Sequence, residues 1–189
     1  MTCLRDSFEV LAEAEWTATE TEPKPEVAFV PAMERRRLTM LEKAALSVAW
    51  KCLEAVGLID EATGRLRDGE TLPVVFASRW GEIGTTLKLM RQQHDEGEMS
   101  PAGFSNSVHN AMPGHLSRFL GNRSTYTAVA AGADTYEAGL LEASLYDGKV
   151  LFIYAEEETP EYYRPCFPEV RSASAKAMLL GNRVKAGAR

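Results

Sequence analysis

Apolar residues recur every three or four positions between Thr39 and Gly57, with polar residues between them. This spacing places the apolar side chains on one face of a helix, and Gly57 marks its end. The segment therefore predicts an amphipathic helix. Its apolar positions are Leu41, Ala44, Ala45, Val48, Cys52 and Val56.

Short runs of β-branched and aromatic residues predict five strands. The run 72–78 is apolar throughout, which is typical of a strand in a sheet covered on both faces. The run 149–155 follows an Asp-Gly turn and is the strongest strand pattern in the chain. The other predicted strands are 26–30, 124–130 and 175–180.

Three further helices are predicted between these strands. The first is 81–96, with Ile83, Leu87 and Met90 on one side; the second runs from an N-cap at Ser100 and a first residue Pro101 through Asn110. Pro113 and Gly114 then interrupt the pattern. The third helix is 134–146, with an apolar stripe of Ala138, Leu141 and Leu145.

Strands that alternate with helices favour an α/β fold with a layered, mainly parallel sheet and flanking helices. Residues 17–25 are polar and bounded by prolines, so they predict a loop after a short initial element. We therefore divide the chain into an N-terminal extension, 1–25, and a single domain, 26–189. The acidic run 156–158 is interpreted as a solvated loop, with a gate or a partner surface as the alternative.

Composition limits the classes of function. The 189 residues are 45% hydrophobic and carry a net charge of −6, which disfavours nucleic acid as a partner. The one dense basic run, Arg35 to Arg37, is interpreted as a solvated helix start, with docking to an acidic carrier protein as the alternative. No run is apolar enough to span a membrane, and charges interrupt any signal peptide, so we expect a cytoplasmic protein.

Cysteines and histidines do not form a metal pattern. The odd number of cysteines predicts reduced thiols, with Cys52 buried on the helix stripe and Cys166 in a loop. His94 lies in a hydrophilic helix end and is expected to be solvated. His109 and His115 are six residues apart across the Pro-Gly break, so we expect structural hydrogen bonds, with pocket or interface contacts as the alternative, and neither a metal nor a cofactor.

Two segments carry a resemblance to a known family. Residues 104–111 read Phe-Ser-Asn-Ser-Val-His-Asn-Ala, and residues 127–133 read Thr-Ala-Val-Ala-Ala-Gly-Ala. The second segment resembles the strand end that carries the nucleophilic cysteine of β-ketoacyl synthases, with Val129 in the place of the cysteine. A thiolate is the nucleophile in that chemistry, and valine has no ionisable atom, so the resemblance implies no covalent catalysis at this position.

The resemblance implies half of a thiolase-like fold over about residues 33–154. The second half of a complete ketosynthase, with the residues that drive decarboxylation, has no counterpart in the chain. The pattern is similar to half-length, chain-length-factor-like proteins of aryl polyene-type pathways. Such a protein would have no independent acyltransferase activity and would form a heterodimer with a full-length ketosynthase; an acyl carrier protein is a second candidate partner.

The same resemblance implies which residues line the acyl pocket or the interface with the ketosynthase. In this sequence they are Phe104, Ser107, His109, Asn110, Met112, His115, Tyr126 and Val129.

An alternative function uses the same scaffold without a cysteine. A thioester decarboxylase or hydrolase would rely on Ser107, His109 and Asn110 to polarise a carbonyl group, an electrostatic effect that can be large when donors are preorganised. This alternative requires the His109 and Asn110 side chains to converge on an open cavity beside Val129. A partner subunit needs only an apolar lining that fills space.

Overall fold

A computed structural model describes residues 8–167 and 172–182. The main sheet has five strands, in the order β1-β7-β6-β4-β5, and a two-stranded hairpin, β2 and β3, stands apart from it. The strands are β1 (Phe8–Thr17), β2 (Ile59–Asp60), β3 (Arg65–Leu66), β4 (Val74–Ala77), β5 (Tyr126–Val129), β6 (Lys149–Glu156) and β7 (Ser174–Asn182). The helices are α1 (Ala32–Arg35), α2 (Met40–Glu54), α3 (Ile83–Glu96), α4 (Pro101–Ser107), α5 (Ala111–Leu120) and α6 (Thr135–Ala143).

The strand directions confirm the predicted α/β fold with a largely parallel sheet. Strand β4 runs parallel to both β5 and β6. Strand β7 is antiparallel to β6, and β1 is antiparallel to β7, so only β7 opposes the direction of the other four. The carboxyl ends of β4, β5 and β6 therefore lie at the same end of the sheet, where ligand sites of open α/β sheets are found.

Helix α2 forms the centre of the larger core, as its apolar pattern predicts. Thr39 caps the helix: its hydroxyl accepts from the Glu42 amide, and the Glu42 carboxylate accepts from the Thr39 amide. Such a capping box satisfies two backbone donors that would otherwise lack partners. Helix α2 packs on β7, β1 and β6, and most of its residues are buried, including the predicted Cys52.

Helix α6 covers the opposite face of the sheet and forms a smaller core with Phe152 and Leu180. Gly139 makes this close contact possible. A Cβ atom at Gly139 would stand 2.6 Å from the Phe152 ring and 2.8 Å from the Ala77 Cβ, closer than real Cβ contacts. The glycine therefore sets how closely α6 approaches β4 and β6.

Two predicted elements are wrong. Residues 26–30 form a turn and not a strand, with the Val30 amide donating to the Val27 carbonyl at 3.1 Å. Both valines are buried, so their apolar character reflects packing of a loop. The break predicted at Pro113 lies inside α5: Pro113 is the third residue of the helix, where a missing N–H removes no internal hydrogen bond.

The predicted apolar stripes of α3 and α6 are also wrong in part. On α6, Leu141 is 53% exposed and Leu140 is buried, and Leu145 lies after the end of the helix and is 72% exposed. On α3, Met90 is 56% exposed and Leu89 is buried in its place. Both helices carry apolar residues on more than one face, so periodicity alone does not identify the buried face.

The first described strand, β1, pairs with β7 at one edge of the sheet. The segment 1–25 thus contains an edge strand of the same sheet, while its treatment as a separate extension stays a prediction. Loop 18–25 and the final strand agree with the sequence. No helix in the described ranges is long and apolar enough to cross a membrane.

Candidate functional site

Val129 is the last residue of the edge strand β5, beside the end of β4. The Ser78 amide donates to the Val129 carbonyl at 3.1 Å, which continues the ladder between the two strands. The Val129 side chain is partly buried against the smaller core. A one-turn 3-10 helix, Gly132–Asp134, leads into α6 at Thr135, so Val129 lies three residues before the first helical residue.

A buried threonine holds the turn between Val129 and α6. The Thr135 hydroxyl donates to the Gly132 carbonyl at 2.8 Å and accepts from the Ala131 amide at 2.9 Å. Gly132 has a φ of +61°, a backbone conformation that favours glycine. The turn that follows Val129 is therefore held by its own hydrogen bonds.

Ser78, directly after β4, connects the residues around Val129. Its hydroxyl accepts from the Gly81 amide at 2.9 Å and donates to a Glu156 oxygen at 3.3 Å. The other Glu156 oxygen accepts from the Arg79 amide at 2.5 Å. Ser78 and Glu156 are both buried, so these contacts tie the ends of β4 and β6 together out of solvent.

His109 packs across the end of β4. Its Nε2 lies 3.2 Å from the Ser78 carbonyl oxygen, which requires the proton on that nitrogen. A Cβ atom on Gly81 would stand 3.0 Å from the imidazole ring, and Gly81 has a φ of +54°. Gly81 therefore leaves room for the His109 ring. The Ser78 backbone connects His109 and Val129, because its carbonyl accepts from His109 and its amide donates to Val129.

Buried carboxyl groups surround this end of the sheet. Glu156 is 2% exposed, and burial raises its pKa; burial also raises the pKa of Glu157, whose carboxylate accepts from the Gly84 amide at 2.9 Å. Glu158 is exposed and forms an ion pair with Arg164. The solvated-loop interpretation of 156–158 is therefore wrong for Glu156.

A second buried network joins three helices. The Thr39 hydroxyl donates to Glu82 at 2.6 Å, and Glu42 of the capping box contacts His115 Nδ1 at 2.5 Å. Burial, followed by the charges of Glu157 and Glu42, raises the pKa of Glu82 to about 8. Glu82 thus retains a proton near neutral pH, and the network links the starts of α2 and α3 to α5.

The predicted site residues divide into separate groups. His109 and Val129 come together through Ser78, whereas Met112 is buried in the larger core and His115 contacts Glu42. Tyr126 lies at the beginning of β5, at the opposite end of the strand from Val129. Of the remaining residues, Phe104 and Asn110 are exposed and Ser107 is partly exposed.

Sequence reasoning missed the contribution of Ser78, Glu82 and Glu156. Each lies within a few residues of the carboxyl end of a strand or at the start of a helix. Ligand sites of parallel sheets lie at those positions, so polar residues there were the sequence feature that could have identified Ser78, Glu82 and Glu156. Their burial depends on neighbours 40 or more positions away along the chain.

Of the two cysteines in the described residues, one is buried and one is exposed. Cys52 is buried, and its pKa is raised to about 11 by burial, which keeps it in the unreactive thiol form. Cys166 is exposed, and Cys3 lies outside the described residues. Among the described residues, no group of three or more histidine, cysteine, aspartate or glutamate side chains could hold a metal.

The geometry does not favour the alternative function without cysteine. Nε2 of His109 is engaged by the Ser78 carbonyl, and Asn110 is exposed at the start of α5. The two side chains therefore do not present a pair of donors beside Val129. A polarised thioester would need such donors within about 3 Å of its oxygen.

Sequence comparison gives the family. The family described as "Beta-ketoacyl synthase, N-terminal domain" matches residues 10–188, nearly the whole chain. The chain belongs to this family. No curated protein matches it in sequence.

Solved structures with a similar fold include ketosynthases. A chain of "Ketosynthase (ApeO) in Complex with its Chain Length Factor (ApeC) from Xenorhabdus doucetiae" has a TM-score of 0.75 at 21% identity, over 93% of this chain and 79% of that one. For "The ishigamide ketosynthase/chain length factor" the TM-score is 0.56 at 15% identity, over 90% of this chain and 51% of that one.

A longer ketosynthase gives a similar result. The ketosynthase from module 6 of the bacillaene synthase from Bacillus subtilis 168 has a TM-score of 0.56 at 12% identity, over 82% of this chain and 26% of that one. This chain thus spans about half of the ishigamide protein and about a quarter of the module 6 ketosynthase. At these identities the similarity establishes the thiolase-like ketosynthase fold.

Proposed function

We propose that this protein is a non-catalytic, chain-length-factor-like partner subunit of a complete ketosynthase. The observation that carries the proposal is Val129 at the end of β5, in a segment that resembles the cysteine-bearing strand end of ketosynthases. A valine cannot form the acyl-enzyme but can occupy volume in a pocket. Two of the similar structures are described as containing a chain length factor, which supports the same assignment.

Strand β5 supplies the surface for this pairing. It lies at the edge of the sheet, with one side free of any other described strand. An open edge presents unpaired backbone groups that a second chain can bind. Tyr126 on this strand is 43% exposed; Phe104 on α4 and Val108 directly after α4 are also exposed, by 56% and 40%.

In this proposal Val129 limits the length of the acyl chain by filling space. Burial of one methylene group is worth roughly 0.8 kcal/mol, so one change in side-chain size alters which chain lengths fit. The pathway would be of the fatty-acid or aryl polyene type, in the cytoplasm, and the acyl groups would arrive on an acyl carrier protein.

The test is co-expression with a complete, cysteine-bearing ketosynthase, followed by size-exclusion chromatography and analysis of the product lengths. We expect a stable heterodimer whose products become shorter when Val129→Phe enlarges the side chain. Val10→Phe is the matched control, because Val10 is also partly buried against the smaller core but lies on β1 at the far edge of the sheet. Separate elution of the two proteins, or unchanged product lengths in Val129→Phe, would contradict the proposal.

A further inference from the structure

Helices α3 and α4, within residues 83–108, form a unit that buries little of its own surface. Of the 14 residues of α3, only Ile83 and Leu89 are buried, and α4 has no buried residue. Leu89 packs on α4, because a Cβ atom at Gly103 would stand 3.0 Å from its side chain. Segments that bury so little surface open locally while the rest of a protein stays folded.

Hydrogen bonds at both ends of the segment 83–108 hold it to the rest of the protein. At its start, the Thr39 hydroxyl donates to Glu82 at 2.6 Å, and the Gly84 amide donates to Glu157 at 2.9 Å. His109, directly after the segment, contacts the backbone that follows β4 at 3.2 Å. Both contacts at the start therefore depend on carboxyl groups.

Glu82 is 2% exposed and lies among other carboxyl groups. It faces Glu157 after β6 and Glu42 of α2, and Glu42 in turn contacts His115 of α5. Thr85 of its own helix donates to it at 3.3 Å. A carboxyl group in such surroundings is more stable with its proton than without it, because burial and like charges both disfavour the anion.

We propose that the segment 83–108 is a local switch, which opens away from the rest of the protein when Glu82 loses its proton. Loss of the proton places a third negative charge beside Glu42 and Glu157, and opening relieves the repulsion by exposing Glu82 to water. The segment carries Phe104 and Val108, so opening moves an exposed apolar surface. The switch does not depend on pairing with a ketosynthase.

The direction of the pH dependence follows from the two states. The pKa of Glu82 is about 8 in the closed state, whereas in the open state it returns toward the ordinary value of 4.5. Between these values the closed state holds a proton that the open state has lost. The closed state is therefore favoured at low pH, and it is weakened as the pH rises through 8.

Hydrogen exchange of the unaltered protein, followed by mass spectrometry, measures the opening directly. Protection of the segment 83–108 is compared at pH 6.5 and pH 8.5, after correction for the intrinsic exchange rate. Helix α6 is the internal reference, because it packs on the opposite face of the sheet from the larger core. We expect protection of the segment to fall at least tenfold more than protection of α6. An equal change in both would overturn the proposal.

Glu82→Gln separates this proton from other effects of pH. The amide still accepts from Thr39 and carries no charge, so at pH 8.5 we expect the segment to be at least tenfold better protected than in the unaltered protein. Glu98→Gln removes one exposed charge between α3 and α4 and should change protection less than twofold. Undiminished opening in Glu82→Gln would assign the pH effect to another group, such as His115, and would overturn the proposal.

Trypsin gives a second measure of the open state. Lys88 and Arg91 lie within α3, where cleavage requires the helix to open. The unaltered protein and Glu82→Gln are digested side by side at pH 8.5, which cancels the pH dependence of the protease. We expect cleavage at these two residues to be at least fivefold slower in Glu82→Gln, with cleavage at the exposed Arg123 unchanged. Equal rates within α3 would contradict the switch.

Discussion

At the residue scale, the environment of position 129 decides what a cysteine there could do. A helix N-terminus lowers the pKa of a cysteine, but its field falls off within the first turn. The 3-10 turn at Gly132–Asp134 begins three residues after Val129 and α6 six residues after it, and the Val129 side chain is partly buried. A thiol at this position would therefore gain little activation from the helix.

Val129→Cys should accordingly react slowly with iodoacetamide and should not restore condensation. Peptide mass spectrometry over time would follow alkylation at position 129 against alkylation of Cys166, which is exposed and serves as the internal reference. We expect the slower rate at position 129. Faster alkylation there than at Cys166, or condensation by the variant alone, would show that this end of β5 activates a thiol.

Glu82 makes the stability of the protein depend on pH. Its pKa is about 8 in the folded protein against an ordinary value of 4.5, so the folded state holds a proton that the unfolded state has lost between those values. The contribution of Glu82 to the free energy of unfolding is then greatest below about pH 4.5, and it falls as the pH rises toward 8. Glu156 and Glu157, whose pKa values are also raised, add to the same slope.

Glu82→Gln should therefore stabilise the protein at pH 9 and have little effect at pH 4.5. The amide can still accept from Thr39 while carrying no charge, and one pKa unit corresponds to about 1.4 kcal/mol, so we expect a gain on the order of 2–4 kcal/mol at pH 9. Urea denaturation at the two pH values measures the difference. Glu137→Gln, on the exposed face of α6, is the control, and an equal gain in both variants would contradict the role of Glu82.

At the scale of single elements, two helical glycines have opposite requirements. Gly139 in α6 has no room for a methyl group beside Phe152 and Ala77, whereas a Cβ at Gly114 in α5 would make only ordinary contact with the Tyr126 hydroxyl at 3.4 Å. Alanine favours a helix over glycine by about 1 kcal/mol, but overpacking a tight contact costs about 1–3 kcal/mol. Packing therefore decides the sign at Gly139.

Gly139→Ala should lower the free energy of unfolding by about 1–2 kcal/mol, and Gly114→Ala should leave it unchanged or raise it by up to about 1 kcal/mol. The two variants carry the same chemical change in two different helices, so each controls the other. Denaturant unfolding measures both. A stabilising Gly139→Ala would show that α6 shifts away from the sheet at little cost.

The helices also show where local patterns stop being informative. Helix α2 has a capping box, and its position and most of its buried stripe follow from the sequence; of the predicted stripe, Val56 lies after the helix and is 38% exposed. Helices α3 and α6 have apolar residues on several faces, and the structure buries Leu89 and Leu140 in preference to Met90 and Leu141. The choice depends on the sheet surface against which each helix packs.

At the scale of the whole molecule, the order of strands leaves β5 at an open edge of the sheet, and Tyr126 on this strand is exposed. Tyr126→Asp places a charge on this edge, where a partner strand would have to bury it, and should weaken a complex with a ketosynthase by at least tenfold. Co-purification and size-exclusion chromatography of the co-expressed pair measure the effect.

Tyr162→Asp and His94→Ala are the controls for this measurement. Tyr162 is 69% exposed in the loop after β6, and His94 is exposed near the end of α3. Both variants should retain the complex. His109→Ala is expected to act through the fold as well, because it removes the contact with the Ser78 carbonyl. Equal retention of Tyr126→Asp and its controls would place the interface elsewhere.

The sequence by itself determined the α/β class, the helix α2 and the strands β4 and β6, and its motif at 127–133 carried the resemblance to ketosynthases. These features depend on local periodicity or on a short motif, which neighbouring residues specify. It did not reveal that α5 passes through Pro113, because a proline early in a helix and a proline that ends one look the same in a linear pattern.

Only the tertiary structure decided which polar groups are buried and which charges meet. Ser78 and Glu156 are 78 positions apart, Thr39 and Glu82 are 43 positions apart, and each pair is joined by a hydrogen bond. Likewise, Lys24, Arg35 and Lys43 line one cavity although they come from a loop and two helices. Such contacts arise from how the helices pack on the sheet, and packing brings together residues whose separation along the chain carries no local signal.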